Sequence, residues 1–351
     1  MLAPVTHVVP LTTIRRERFL PVSGRVLVRQ GQKVNPTDTI AEASMAPEHV
    51  MLDVGKGLGL PSKKADQYIQ KSGGEYVNEG DVIAGPVGIT RRVVRAPRAG
   101  QVVLTGNGQV LLELESPPFK ILAGMPGVVI SLTPERGATI ENTGALVQGV
   151  WGNGQITFGV MHVLMHKAED MLTIDQLDAS LSGALILAGY CGDEETLQAV
   201  AELPARGLIL ASMPSSLTTH ALNMNFPILI LEGFGLLPMN SAAFKLLIAN
   251  HQREISVNAE PYERYGNNRP EIIIPLTASG KPSQPRDMVS FSPDQRVRIL
   301  RAPYKSQVGK VASIRPGLHE FPTKLRAQAA EIRLENDESV LVPIANLEVL
   351  E

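Results

Sequence analysis

The stretch GGEYVNEGDVIAGPVGITRRVVRAPRAGQVV, Gly73–Val103, sets the architecture of the N-terminal half. A turn sequence, NEGD, leads into a short β run, then an exposed connection, then APRAG and a second β run. The same order recurs in LPVSGRVLVRQGQKVNPTDTIAEA (20–43) and, more loosely, in ILAGMPGVVISLTPERGATIENTGALV (121–147). Each copy reads as a hammerhead of short strands. Gly31, Gly80 and Gly137 stand where a tight turn wants positive φ, and Val34, Val77 and Ile140 are expected to fill the core between turns. A single hammerhead cannot bury its apolar face, so the copies must pair. From about Phe19 to Phe158, runs of four to six apolar residues broken by Gly, Pro, Asn and Asp predict many short strands. One departure, PSKKADQYIQKSGG from Pro61, predicts a short helix closed by Gly73 and Gly74.

These hammerheads resemble the barrel-sandwich hybrid of lipoyl and biotinyl carrier domains over roughly the first 150 residues. The resemblance implies a cofactor lysine on the exposed connection, and this chain has Arg91 and Arg92 there. A guanidinium does not form the attachment amide, so covalent lipoate or biotin is not expected and no cofactor is assigned. Arg91, Arg92, Arg95 and Arg98 instead form a basic edge that suits a macromolecular partner, a pattern that a solvated strand face also produces.

The pattern changes after residue 160. GALILAG (183–189), RGLILAS (206–212) and FPILILEG (226–233) are continuous apolar strands, and DEETLQAVAEL, SSLTTHALN and NSAAFKLLIAN between or after them are helices, the first with Asp193 as N-cap. REISVNAE and RPEIIIPL add strands. Such alternation implies a parallel sheet covered on both faces, an α/β Rossmann-like domain over 161–280. Ligands in such sheets bind beyond the strand C-termini. The candidate ligand-binding residues there are Asp193, Ser212, Ser215, Ser216, Glu232, Gly233 and Gly235. No Walker sequence and no G-x-G-x-x-G accompanies them. Cys191 lies between a strand and a helix, where a thiolate could be stabilised, although a small residue in a tight turn reads the same way. His162 and His166, four apart, would share a helix face, with no further ligand completing a metal set. Trp151 among glycines reads as an interdomain anchor.

TASGKPSQPRD (277–287) is a linker by composition. Beyond it, over 288–351, QRVRILRAPYKSQVGKVASI and VLVPIANLEVL resemble a KOW-type SH3-like barrel. The resemblance implies binding of RNA, DNA or protein, and Arg296, Arg298, Arg301, Lys305 and Lys310, with Arg315, concentrate positive charge in its first half. The fold class expected for the chain is therefore multidomain α+β: a β-rich region over 1–160, the α/β region, and a small C-terminal β-barrel.

Composition bounds the rest. Across 351 residues, 44% are hydrophobic and 19% charged, and the net charge is −2. That gives ample core and no global field favouring nucleic acid or membrane. One cysteine excludes an internal disulfide and suits a reducing cytoplasm. No apolar run reaches the ~20 residues of a membrane span. With no nucleophile–base pair, metal set or phosphate loop, the expectation is a non-enzymatic scaffold or adaptor that binds a protein through its β modules. Nucleic acid is a further partner for the C-terminal barrel, and transcription or translation a setting by analogy. The alternative is a ligand-binding enzyme or sensor using the strand ends.

Overall fold

The computed structural model describes residues 2–263, 268–277, 282, 284–286 and 288–351. Much of the expected linker, 277–287, lies outside the described residues. Contacts divide the chain into two units. One comprises 1–19, 27–40 and 122–351, the other 20–26 and 41–121. The chain is mostly β. No helix among the described residues is long and apolar enough to cross a membrane.

The larger unit is built on an eleven-stranded mixed sheet. Four strands run parallel at one end: Ile156–Val163, Leu185–Tyr190, Gly207–Met213 and Ile228–Phe234. The last three are buried along nearly their whole length, as strands covered on both faces must be. Leu197 and Val200 of the helix Glu194–Glu202, with Ala221 of Thr218–Leu222, pack onto Ile186, Leu208, Leu210 and Ile230. Ala243 and Leu247 of the helix Ser241–Ile248 pack with Leu185, Leu187, Ile209 and Leu229. The alternation of strand side chains thus sorts the helices onto opposite faces.

These parallel strands do not form a separate Rossmann-like domain, and the expectation of one over 161–280 is corrected. Ile156–Val163 carries the antiparallel strand Glu254–Asn258 on its other side, and the ladder continues through Glu271–Pro275 to Gly137–Gln148. That twelve-residue strand also pairs with Val8–Phe19, so residues from the first twenty complete the sheet. Gly144 makes this close approach possible: a Cβ there would strike the carbonyl of Ile274. His162 and His166 share no helix. His162 lies in the strand Ile156–Val163 with its ring edge-on to His251, and His166 is in the following loop. Trp151 pairs with Ile230 in the same sheet and sets its ring edge-on to Phe234.

The C-terminal residues form a seven-stranded sheet in the order Met288–Ser290, Leu2–Thr6, Leu347–Leu350, Arg296–Ile299, Val308–Glu320, Arg326–Leu334, Ser339–Pro343. Among the described residues the pairing does not close into a barrel. The strand Leu2–Thr6 runs parallel to Leu347–Leu350 and contributes Ala3 and Val5 to the core of this sheet.

The smaller unit holds an antiparallel sheet in the order Glu48–Asp53, Gln109–Leu114, Gly100–Gly106, Tyr76–Val77, and a hairpin, Val82–Val87 with Arg92–Arg95. Its core gathers Val54, Leu58, Val77, Ile83, Val102, Val110 and Leu112. The expected helix from Pro61 is one turn, Ser62–Ala65, continued by a 3-10 turn, Asp66–Tyr68.

Two of the three sequence copies are the same at the level of hydrogen bonds. Asn35 N–H donates to Asp38 Oδ2 at 2.7 Å, and Asn78 N–H to Asp81 Oδ2 at 2.8 Å. Arg29 N–H donates to Gln32 Oε1 at 3.0 Å, and Ser72 N–H to Glu75 Oε1 at 2.9 Å. This register matches Gly31 to Gly74, with φ of +81° and +91°, and not to Gly80, whose counterpart is Thr37. Val34 and Val77 are both buried as expected.

Candidate functional site

At the ends of the parallel strands, most of the candidate ligand groups are already committed to the fold. Ser212 is fully buried; its hydroxyl donates to Leu237 O at 2.7 Å and accepts from Leu237 N at 3.1 Å. Asp193 caps its helix, accepting from Thr196 N at 2.8 Å and Thr196 Oγ1 at 3.1 Å. Gly233 and Gly235 take positive φ, and Gly235 N–H donates to Met213 O, stitching the turn to the adjacent strand. Ser215 and Ser216 lie exposed at the start of a one-turn helix. Cys191 is buried, and that burial pushes its thiol up to about 11, the opposite of an activated thiolate. We expect the folded protein to resist a thiol reagent at neutral pH and to label fully in urea. Prompt labelling of folded protein would contradict this burial.

Glu232 belongs to a different construction. Its Oε1 accepts from both Asn240 N (2.8 Å) and Asn240 Nδ2 (2.6 Å), while Asn240 Oδ1 caps the helix Ser241–Ile248 through Ala243 N. Its Oε2 accepts from Arg298 Nη1 at 2.6 Å, and Arg298 also binds Glu348. Glu348 Oε2 accepts from Thr6 Oγ1, and Arg269 Nη1 donates to that same hydroxyl and to Val5 O. Burial would lower the Arg298 pKa, but the two carboxylates outweigh it and raise it. Arg298, expected to face a partner, is therefore buried at 3% exposure, because its strand turns that side chain toward the mixed sheet.

The basic hairpin of the smaller unit is partly self-satisfied. Arg95 Nη1 donates to Gly80 O at 2.7 Å and Arg98 pairs with Glu48. The Arg92 guanidinium lies over Gly59, the left-handed cap of the helix Val54–Leu58. Arg91, at φ +47°, stands exposed in the hairpin turn.

The C-terminal sheet presents a different arrangement. Arg296 is directly opposite Lys310, and Lys310 directly opposite Arg333, on three neighbouring antiparallel strands. All three side chains are exposed. Residues so placed have Cβ atoms about 4.5–5.5 Å apart, and like charges in that position repel. Among the described residues none of the three has an ion-pair partner. They line a shallow cavity of about 270 Å³ together with Glu335 and Asp337. Arg301 and Lys305 are exposed in the loop before Val308–Glu320, whereas Arg315 is paired with Glu331 at 2.8 Å. Composition singled out Arg296 and Lys310. Arg333 was missed because it stands in the acidic half of the segment, and only strand register puts it in line.

No protein-family model matches the chain, and no match is found among curated proteins. Among the described residues no group of three His, Cys, Asp or Glu could hold a metal ion.

Proposed function

We propose that the protein is a non-enzymatic scaffold whose C-terminal sheet grips the phosphate backbone of a nucleic acid. The observation that carries this is the cross-strand row Arg296–Lys310–Arg333. The fold gains nothing from three apposed cations, whereas phosphates laid across them would relieve the repulsion and release bound counterions. No aromatic platform accompanies the row, so contact is with the backbone and not with bases. The matched hammerheads at 31–40 and 74–83 support reading the N-terminal half as modules of the barrel-sandwich type, without the carrier lysine. The antiparallel run from Arg296 to Leu350 supports an SH3-like strand order, left open. A small-ligand enzyme at the strand ends is the weaker reading, because Ser212, Glu232 and Asp193 are spent on the backbone, on Arg298 and on a helix cap.

Fluorescence anisotropy with labelled single-stranded and duplex oligonucleotides of mixed sequence tests the proposal. Three contacts imply a slope of log K against log salt of roughly −2 to −3. The double variant K310E/R333E is expected to abolish binding, while K324E, on the distant hairpin turn, leaves it nearly unchanged. Absence of binding at low salt, or full binding by the double variant, refutes it.

A further inference from the structure

Among the described residues, the outermost strand of the small unit's four-stranded sheet, Glu48–Asp53, pairs only with Gln109–Leu114. Six consecutive residues pair without a register shift, so the strand is regular and unbulged. Proteins blunt such edges with lysine, proline, a bulge or a covering loop. EHVMLD contains no lysine and no proline, and its two carboxylates, Glu48 and Asp53, stand only at its ends. Its outward face is apolar at the centre: Met51 is opposite Leu111, and Leu111 opposite Leu104, with Met51 56% and Leu104 66% exposed.

We infer that this edge pairs with the same edge of a second copy of the chain, joining two four-stranded sheets into one of eight strands. Opposed residues in an antiparallel pair face the same side, so a two-fold axis normal to the sheet must pass through a residue. With the axis at Met51, His49 lies opposite Asp53 of the second copy and Val50 opposite its Leu52. His49 Nε2 lies 3.4 Å from Glu113 Oε2 of its own chain, which leaves the Nδ1 side of the imidazole to face a carboxylate at both ends of the junction. Asp53 has an oxygen left for this, since only Oδ1 is engaged, by Lys56 N–H. The apolar row then runs Leu104–Leu111–Met51 and on through Met51, Leu111 and Leu104 of the second copy without interruption. Moving the axis to Val50 sets Glu48 against Leu52 and leaves no charge pair. Moving it to Leu52 sets Met51 against Asp53 and runs into the helix Val54–Leu58. The sequence is thus self-complementary in one register. The contact is a single strand pair, so the dimer is expected to be concentration-dependent.

The test uses the full chain. Cys191 is buried, which leaves a surface cysteine to report alone. In M51C the two thiols face each other across the axis, and mild oxidation should give a covalent dimer at least tenfold faster than in L341C, an exposed position on the C-terminal sheet. Sedimentation should show wild-type protein moving from monomer to dimer with concentration, and M51K remaining monomeric. Wild-type protein that stays monomeric throughout, M51C that crosslinks no faster than L341C, or M51K that dimerises like wild type overturns the inference. Oligonucleotide binding is read at other residues, so the two proposals fail separately.

Discussion

Replacing Arg298 with methionine is expected to cost about 3–5 kcal/mol of folding stability, the range for breaking a buried ion pair from one side. The loss comes less from the missing attraction than from what is left behind. The Glu232 side chain is fully buried and Glu348 nearly so, and each loses its cationic partner. Glu232 also holds Asn240, so the helix Ser241–Ile248 loses the support of its cap. Urea unfolding measures the loss as a shift in midpoint. The triple variant R298M/E232Q/E348Q should recover much of it, because removing all the charges together leaves none uncompensated. An R298M midpoint equal to wild type would mean that the network contributes nothing.

Gly137→Ala is the second large effect. A Cβ at Gly137 would collide with the carbonyl oxygen of Arg18, and its φ of +151° is poorly tolerated by alanine. Overpacking of this kind costs about 1–3 kcal/mol, and holding a side-chain-bearing residue in strained backbone adds about the same. Arg18 cannot yield easily. It is buried, its Nη1 and Nη2 bind Glu260 at 2.6 and 2.7 Å, and its Nε donates to Leu122 O. Gly154→Ala is the control: φ is also positive there, but a Cβ would meet nothing within 4 Å. We expect G137A to lower the thermal midpoint well beyond G154A. Equal shifts would show that the Arg18 contact carries no weight.

Local sequence specified most elements because their signals are local. Asp193 and Asn240 cap the helices they precede, and apolar runs such as GLILASM are strands buried on both faces. The errors fell where a partner far along the chain decided the outcome. His162 and His166 have helical spacing, yet His162 is in a strand, because it pairs with Ile186 on one side and residues 156–160 of the same strand pair with Glu254–Asn258 on the other. The repeat was legible, but its register was not. Glycines alone matched Gly31 to Gly80, and the side-chain caps of Asp38 and Asp81 correct the match to Gly74.

The candidate site divides the same way. Composition identified a basic segment, but charge counts do not say which side chains share a face. Arg298 and Arg296, two residues apart in one strand, lie on the same face, yet Arg298 is buried against Glu232, while Arg296 stands exposed in line with Lys310 and Arg333. By itself the sequence determined the two matched turn segments, the caps and the apolar strands, because each depends on neighbours within a few residues. Only the tertiary structure decided that residues 2–6 complete the C-terminal sheet, that the parallel strands merge into a larger mixed sheet, and that three cations share a row. Those outcomes depend on strand pairing between residues far apart in the chain, where backbone hydrogen bonding is nearly indifferent to sequence and burial alone selects the partner.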